Sequence, residues 1–206
     1  MPSATTKLQV WNLAIDVIRD TALQTTGDQA ATARWLDRNW QHAVESTLRA
    51  YPWNFAKELK ELPADEERPP FKWAYYYSLP AGWKRVLPIT YNGERYGNLV
   101  PHEIIGQRIA TNHSAPLRVT LIMDKSSNPG LWDDLFVEIV RCKLALGMAN
   151  KFPSKRAYVE IASQLLASAQ AKAEEIDAFE GTAEPVEQFD ILRAREGGVQ
   201  YLGPYR

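Results

Sequence analysis

The chain has a single cysteine, Cys142, which rules out an intrachain disulfide framework. Its setting in the run IVRCKLAL predicts a small buried side chain on a helix. No stretch approaches the roughly 18 apolar residues needed to span a bilayer. The opening MPSATTKLQVW has no charged segment followed by an apolar run and a small-residue cleavage site, so no export signal is expected. An excess of one charge is missing too. With 24 Lys and Arg against 25 Asp and Glu the formal net charge is -1, which gives no chain-wide reason to bind a polyanion. Phosphate-cradling glycine loops, the GxSxG elbow, and HExxH or CxxC spacings are all absent, so the usual marks of nucleotide, hydrolase and zinc chemistry are not there. No cofactor, no metal and no catalytic residue is expected.

Aromatic residues, by contrast, are plentiful: seven Trp and nine Tyr in 206 residues. Such rings concentrate in cores and at protein interfaces. A hydrophobic fraction of 45% with 24% charged residues is that of a folding globular chain. The length suits one domain, or one domain carrying an insert.

Periodicity sets the expected elements. Leu8, Trp11, Ile15, Ile18 and Ala22 recur at steps of three or four over residues 5–23, one face of a helix capped by Ser3, Thr5 or Thr6. A second helix is expected from Asp28 as N-cap, with Ala33, Leu36, Trp40, Ala43, Thr47 and Tyr51 on one face, ended by Pro52. Residues 53–124 bring prolines, glycines and β-branched and aromatic runs. Strands are expected at 73–79, 85–91, 96–101 and 117–123, with Asn92-Gly93 as a hairpin turn and 101–108 as a short helical turn. Helix returns at Leu131 with the stripe Leu135, Ile139, Cys142, Leu146 and Ala149. A last helix starts at Ser154 and carries Tyr158, Ile161, Leu165, Ala169, Ala173 and Ile176, stopping near Gly181. The expected fold class is mainly α: a four-helix bundle with an inserted small β-rich subdomain and an extended C-terminal tail. Residues 1–52 form its first helical hairpin, 53–124 the insert, 125–181 the second hairpin and 182–206 the tail, where Gly197-Gly198 reads as a hinge.

Candidate chemistry is sparse. His102, Glu103 and His113 are the one set that would serve a small cytoplasmic enzyme, if the fold gathers them, while His42 reads as a helix-surface residue. Asp133, Asp134 and Glu138 open the third helix, where negative charge meets the positive end of the helix dipole. Arg34, Arg38, Arg141 and Lys143 could line an inter-subunit groove, with ordinary helix-surface charge as the plainer reading, and a DNA-binding packaging factor would need the Lys and Arg of the second and third helices gathered on one exposed face.

The segment LRAYPWNFAKELKELP (residues 48–63), followed by YYYSLPAGWKRVLPI (residues 75–89), resembles tail tubular protein A, the head-to-tail connector adaptor family of tailed bacteriophages. The NLAI of the first helix, the LALGMA of the third and the long alanine-rich fourth helix follow the same order, so the resemblance covers roughly residues 8–180. The chain departs from the pattern in having Ala22-Leu23 after the first helix and Gly82-Trp83 after Leu79-Pro80-Ala81.

The resemblance implies a structural adaptor in the virion, assembled in the host cytoplasm. It implies a homo-oligomeric ring, a dodecamer, below the portal protein, extending a channel through which DNA passes without specific binding. The tail nozzle or tail tube protein is the implied distal partner. The portal-docking residues would be Phe189, Ile191, Leu192, Arg193, Arg195, Tyr201, Leu202, Tyr205 and Arg206. The tail-facing hairpin would be Tyr91, Asn92, Gly93, Glu94 and Arg95. A neck or tail-completion protein of another phage type is the nearest alternative.

Overall fold

In the computed structural model, which describes residues 5–91 and 98–180, the first helix starts with a reciprocal cap. Thr6 Oγ1 accepts from the Gln9 N–H at 3.3 Å while Gln9 Oε1 accepts from the Thr6 N–H at 2.8 Å. The helix, α1, spans Lys7–Val17 and is shorter than the periodicity predicts, because Arg19 takes φ +49° and breaks the ladder. Ala22 therefore lies off the helix and exposed, while Asn12 holds the following turn by two bonds to the backbone of Leu23.

Helix α2, Ala31–Ala50, begins two residues later than expected. Asp28 does not cap it: its carboxylate accepts from the Gln24 and Thr25 N–H groups and the Thr25 hydroxyl, closing the preceding turn instead. Ala33, Leu36, Trp40, Ala43 and Thr47 are buried as their spacing predicts.

Six strands follow among the described residues: β1 Lys57–Leu62, β2 Tyr75–Ser78, β3 Trp83–Val86, β4 His102–Ile105, β5 Arg108–Thr111 and β6 Leu117–Met123. They make two antiparallel sheets, ordered β1-β6-β3 and β2-β5-β4, packed on each other across Leu62, Tyr77, Ile109, Leu117, Val119 and Leu121. Strand period two explains the join to the rest of the molecule. Leu117, Val119 and Leu121 of β6 face the second sheet, whereas Ile122 points the other way into the helical core.

Several strand expectations need correction. The stretch 73–79 shrinks to β2, and 85–91 gives way to β3, which starts earlier. Residues 101–108 are not a helical turn but the hairpin β4–β5, turned at Gly106 with φ +62°, a conformation that glycine adopts without strain. The expected 96–101 strand survives as the Thr90–Leu99 bridge, with Tyr91 N–H donating to Asn98 O at 3.0 Å.

Helix α3, Asp134–Lys151, is capped by Asp133 and not begun at Leu131, which sits in a 3-10 turn, Pro129–Leu131. It lies against α1, α2 and α4 together, so Phe136, Val137, Val140, Leu144, Ala145 and Met148 are buried as well as the expected Ile139, Cys142 and Ala149. Leu135 and Leu146 are only half-buried. At Gly147 the α2 indole of Trp35 comes so close that a Cβ would stand 2.5 Å from its ring. Helix α4, Val159–Glu180, follows a 3-10 turn, Pro153–Tyr158, which contains Ser154; that residue is no cap. Among its described side chains the buried ones are the alanines 162, 169 and 173, while Ile161 and Ile176 are exposed.

The fold is therefore not a mainly α four-helix bundle. It is a mixed α/β fold, 48% helical and 19% strand, with four helices and two three-stranded antiparallel sheets among the described residues. The physical reason is that the strands close a hydrophobic core of their own, and α3 runs as a central helix flanked on three sides.

Candidate functional site

The PWNFA element, residues 52–56, sits where α2 hands the chain to β1. Pro52 prevents α2 from continuing, and residues Asn54–Ala56 form a 3-10 turn. Trp53 is buried there, its indole N–H donating to Thr47 O at 2.9 Å. Its ring meets Phe136 edge-on at 5.1 Å and Tyr51 at 5.1 Å, and Phe55 contacts Phe136 from the other side. Phe136 in turn meets Trp132, which stacks on Trp40, which meets Trp11. One continuous run of rings thus links α1, α2, the PWNFA turn and α3.

At its outer end the run opens into a groove of about 300 Å³. Tyr51, Trp53, Phe55, Leu131, Trp132 and Ile176 line it. The Trp132 indole N–H is already bonded to Lys125 O at 2.8 Å, so both tryptophans present apolar ring to the opening. Leu131 is 58% exposed and Ile176 44% exposed on its rim. Sequence reasoning missed this feature by starting the third helix at Leu131 and placing Ile176 on the apolar stripe of the fourth. The Asn128-Pro129-Gly130 breaker was the available signal that Leu131 precedes the helix.

A second, larger recess of about 490 Å³ lies along the β4–β5 turn between Tyr76, Ile105 and Arg108. Arg108 is already matched there: it bonds Glu67 at 2.6 Å, lies 3.5 Å from Asp65, and stands over the Tyr76 ring. Glu67 holds its guanidinium protonated more firmly than usual. The recess therefore has its charge spent inside the protein.

His102, Glu103 and His113 are not brought together as an acid–base set. His102 and Glu103 are neighbours on β4 and point to opposite faces. The His102 ring bonds Val100 O, whereas Glu103 binds Lys72 at 2.6 Å and the Trp73 indole at 2.8 Å. Those two partners hold its carboxyl below the ordinary range, the lysine most strongly. His113 bonds Ser114 O and lies 5.5 Å from the Tyr91 ring. No group of three His, Cys, Asp or Glu that could hold a metal occurs among the described residues.

The four basic residues also diverge. Arg34 and Arg38 are exposed on α2, Arg141 is paired with Glu138 on its own helix, and Lys143 turns toward Ser46 Oγ at 3.2 Å. Burial lowers the Lys143 pKa and pushes the Cys142 thiol up to about 11, so the thiol stays protonated at neutral pH. Of the hairpin residues Tyr91 is described, and it is exposed. Asn92, Gly93, Glu94 and Arg95 lie outside the described residues, as do Phe189, Ile191, Leu192, Arg193, Arg195, Tyr201, Leu202, Tyr205 and Arg206.

Among known protein families none matches the chain, and no curated protein is significantly similar to it.

Proposed function

We propose that the protein is a structural adaptor of a tailed-phage head-to-tail connector. Copies of it form a ring, a dodecamer, below the portal protein, extend the DNA channel and offer a platform to the tail nozzle or tail tube protein. It acts by contact and not by catalysis, in the virion after assembly in the host cytoplasm. Its C-terminal residues from Phe189 to Arg206 dock on the portal, and the loop carrying Tyr91 and Arg95 faces the tail.

The observation that carries this reading is the resemblance of residues 48–63 and 75–89 to the adaptor family. Large apolar side chains are exposed and available to a partner: Leu59 is 83% and Phe71 79% exposed, and Leu99, Leu131, Ile104 and Ile105 are exposed as well.

The test is to mix the purified chain with the portal ring of its own phage and measure the mass of the complex by light scattering. A chain lacking residues 186–206 is run alongside. A discrete multi-copy complex that is lost on truncation is expected, while a truncated chain that docks with undiminished affinity overturns the role of the tail.

A further inference from the structure

We propose that the groove beside the 3-10 turn Asn54–Ala56 seats the chain's own C-terminal segment, with Phe189, Ile191 and Leu192 as the side chains that fill it. The consequence for assembly rests on the adaptor reading, because the same side chains are those assigned to the portal. The groove and the portal then compete for one segment, and the free chain keeps its docking residues covered until a portal displaces them.

The groove selects an apolar occupant. Its walls are mostly rings and aliphatic chains, with Asn54 and Asp133 among them, and its polar side chains have partners within the protein: both indole N–H groups donate to backbone carbonyls, Asp133 accepts from Leu135 N–H, and Asn54 accepts from Lys57. A volume of about 300 Å³ is twice the roughly 150 Å³ that holds one benzene ring, so it takes about two large side chains. Within residues 181–206, the run FDIL supplies three such side chains in four positions.

The path of the chain identifies the occupant. One wall of the groove is the last part of α4, through Ala173 and Ile176, and α4 ends at Glu180. The described part of α4 therefore ends about one helical turn, ~5–6 Å, past the groove's own rim. Phe189 lies nine residues further on, with a reach of up to ~30 Å when extended. A segment tethered so closely acts at an effective concentration near the millimolar range, far above that of a second copy at ordinary protein concentrations.

The test uses the full chain and its Leu131→Asp/Ile176→Asp variant, two changes at exposed rim positions. Cleavage by trypsin after Arg193 and hydrogen exchange over residues 186–193 are followed at low and high protein concentration, with circular dichroism checking that the variant keeps its helices. At a tethered concentration of ~1 mM and an affinity of ~0.1 mM, wild type is expected to be cleaved about ten-fold more slowly than the variant, at either concentration. Phe189→Ser is expected to abolish the protection in the same way while leaving both rim residues intact.

Equal cleavage of wild type and both variants overturns the proposal. Protection that grows with concentration, together with a dimer mass in light scattering, overturns it in favour of a second copy as occupant. Intact protection in a chain that no portal displaces leaves the seat standing and counts against the adaptor reading alone.

Discussion

The helical half of the molecule and its β sandwich are stabilised by different means. Around α3 the core is built of large rings in mutual contact, from Trp11 through Trp40, Trp132 and Phe136 to Trp53. The sandwich has a smaller core and mostly four-residue strands, and the surface of its first sheet is laced by ion pairs. Glu58 binds Lys125 at 2.7 Å and Lys60 at 2.9 Å, and Glu61 binds Arg118 at 2.8 Å. Ring burial survives changes of pH and salt, whereas exposed ion pairs add little and are screened. The sandwich is expected to open first, and that ordering can be attacked directly.

The largest effect is expected in the ring core. Phe136→Ala removes a fully buried ring that touches Trp53, Phe55 and Trp132 and is expected to cost about 4 kcal/mol, read as a lower denaturant midpoint. Leu121→Ala, in the middle of the sandwich core, is expected to cost about 3 kcal/mol. Hydrogen exchange then separates the halves: β6 amides should lose protection while α3 amides keep theirs, and equal loss in both would show one cooperative unit. Thr6→Ala removes the cap of α1 and is expected to cost about 1 kcal/mol without touching the sandwich.

The smallest effect is that of pH. Lys125 first, and Lys60 second, hold the Glu58 carboxyl at about 2, against 4.5 for an unperturbed glutamate. A folded-state pKa below the unfolded one stabilises the protein above about 4.5, and that contribution is lost as pH falls from there towards about 2. Glu45, lowered by Lys84 and then by Gln41, acts in the same direction at the join between α2 and β3. Acid titration is therefore expected to weaken the sandwich amides before those of α3, and Glu58→Gln should flatten the acid limb of stability against pH.

How far the fold can be read from the chain depends on how local its causes are. Thr6 was among three cap candidates because a hydroxyl just before the first apolar repeat is a local arrangement. The face of α2 was legible because its buried residues form one stripe at helical spacing. β1 was not anticipated: KELKEL has neither the alternation nor the β-branched residues of a strand, and it is held by pairing with β6 and by the charges of Arg118 and Lys125. The β4–β5 hairpin was misread because its turn needs only two residues, Gly106 and Gln107, set inside a run without obvious punctuation.

The candidate site was still less legible. The stretch that contains PWNFA carried the resemblance, yet the groove it helps to line was not legible, because its walls also come from α2's end, the turn before α3 and the last turns of α4. His102 and Glu103 stood together in sequence and part in space, because adjacent strand residues face opposite ways.

By itself, then, the sequence determined the approximate places of the helices, the Pro52 stop, the burial of Cys142 and the abundance of rings available for packing. These follow from hydrophobic period, proline geometry and composition, which act over a few residues. Tertiary structure alone decided that α3 is flanked on three sides, that the strands close their own core, and that Leu131 and Ile176 meet on the rim of one groove. Those outcomes depend on which surfaces bury one another across long separations in the chain, and the free energy of such burial belongs to pairs of elements, not to either one.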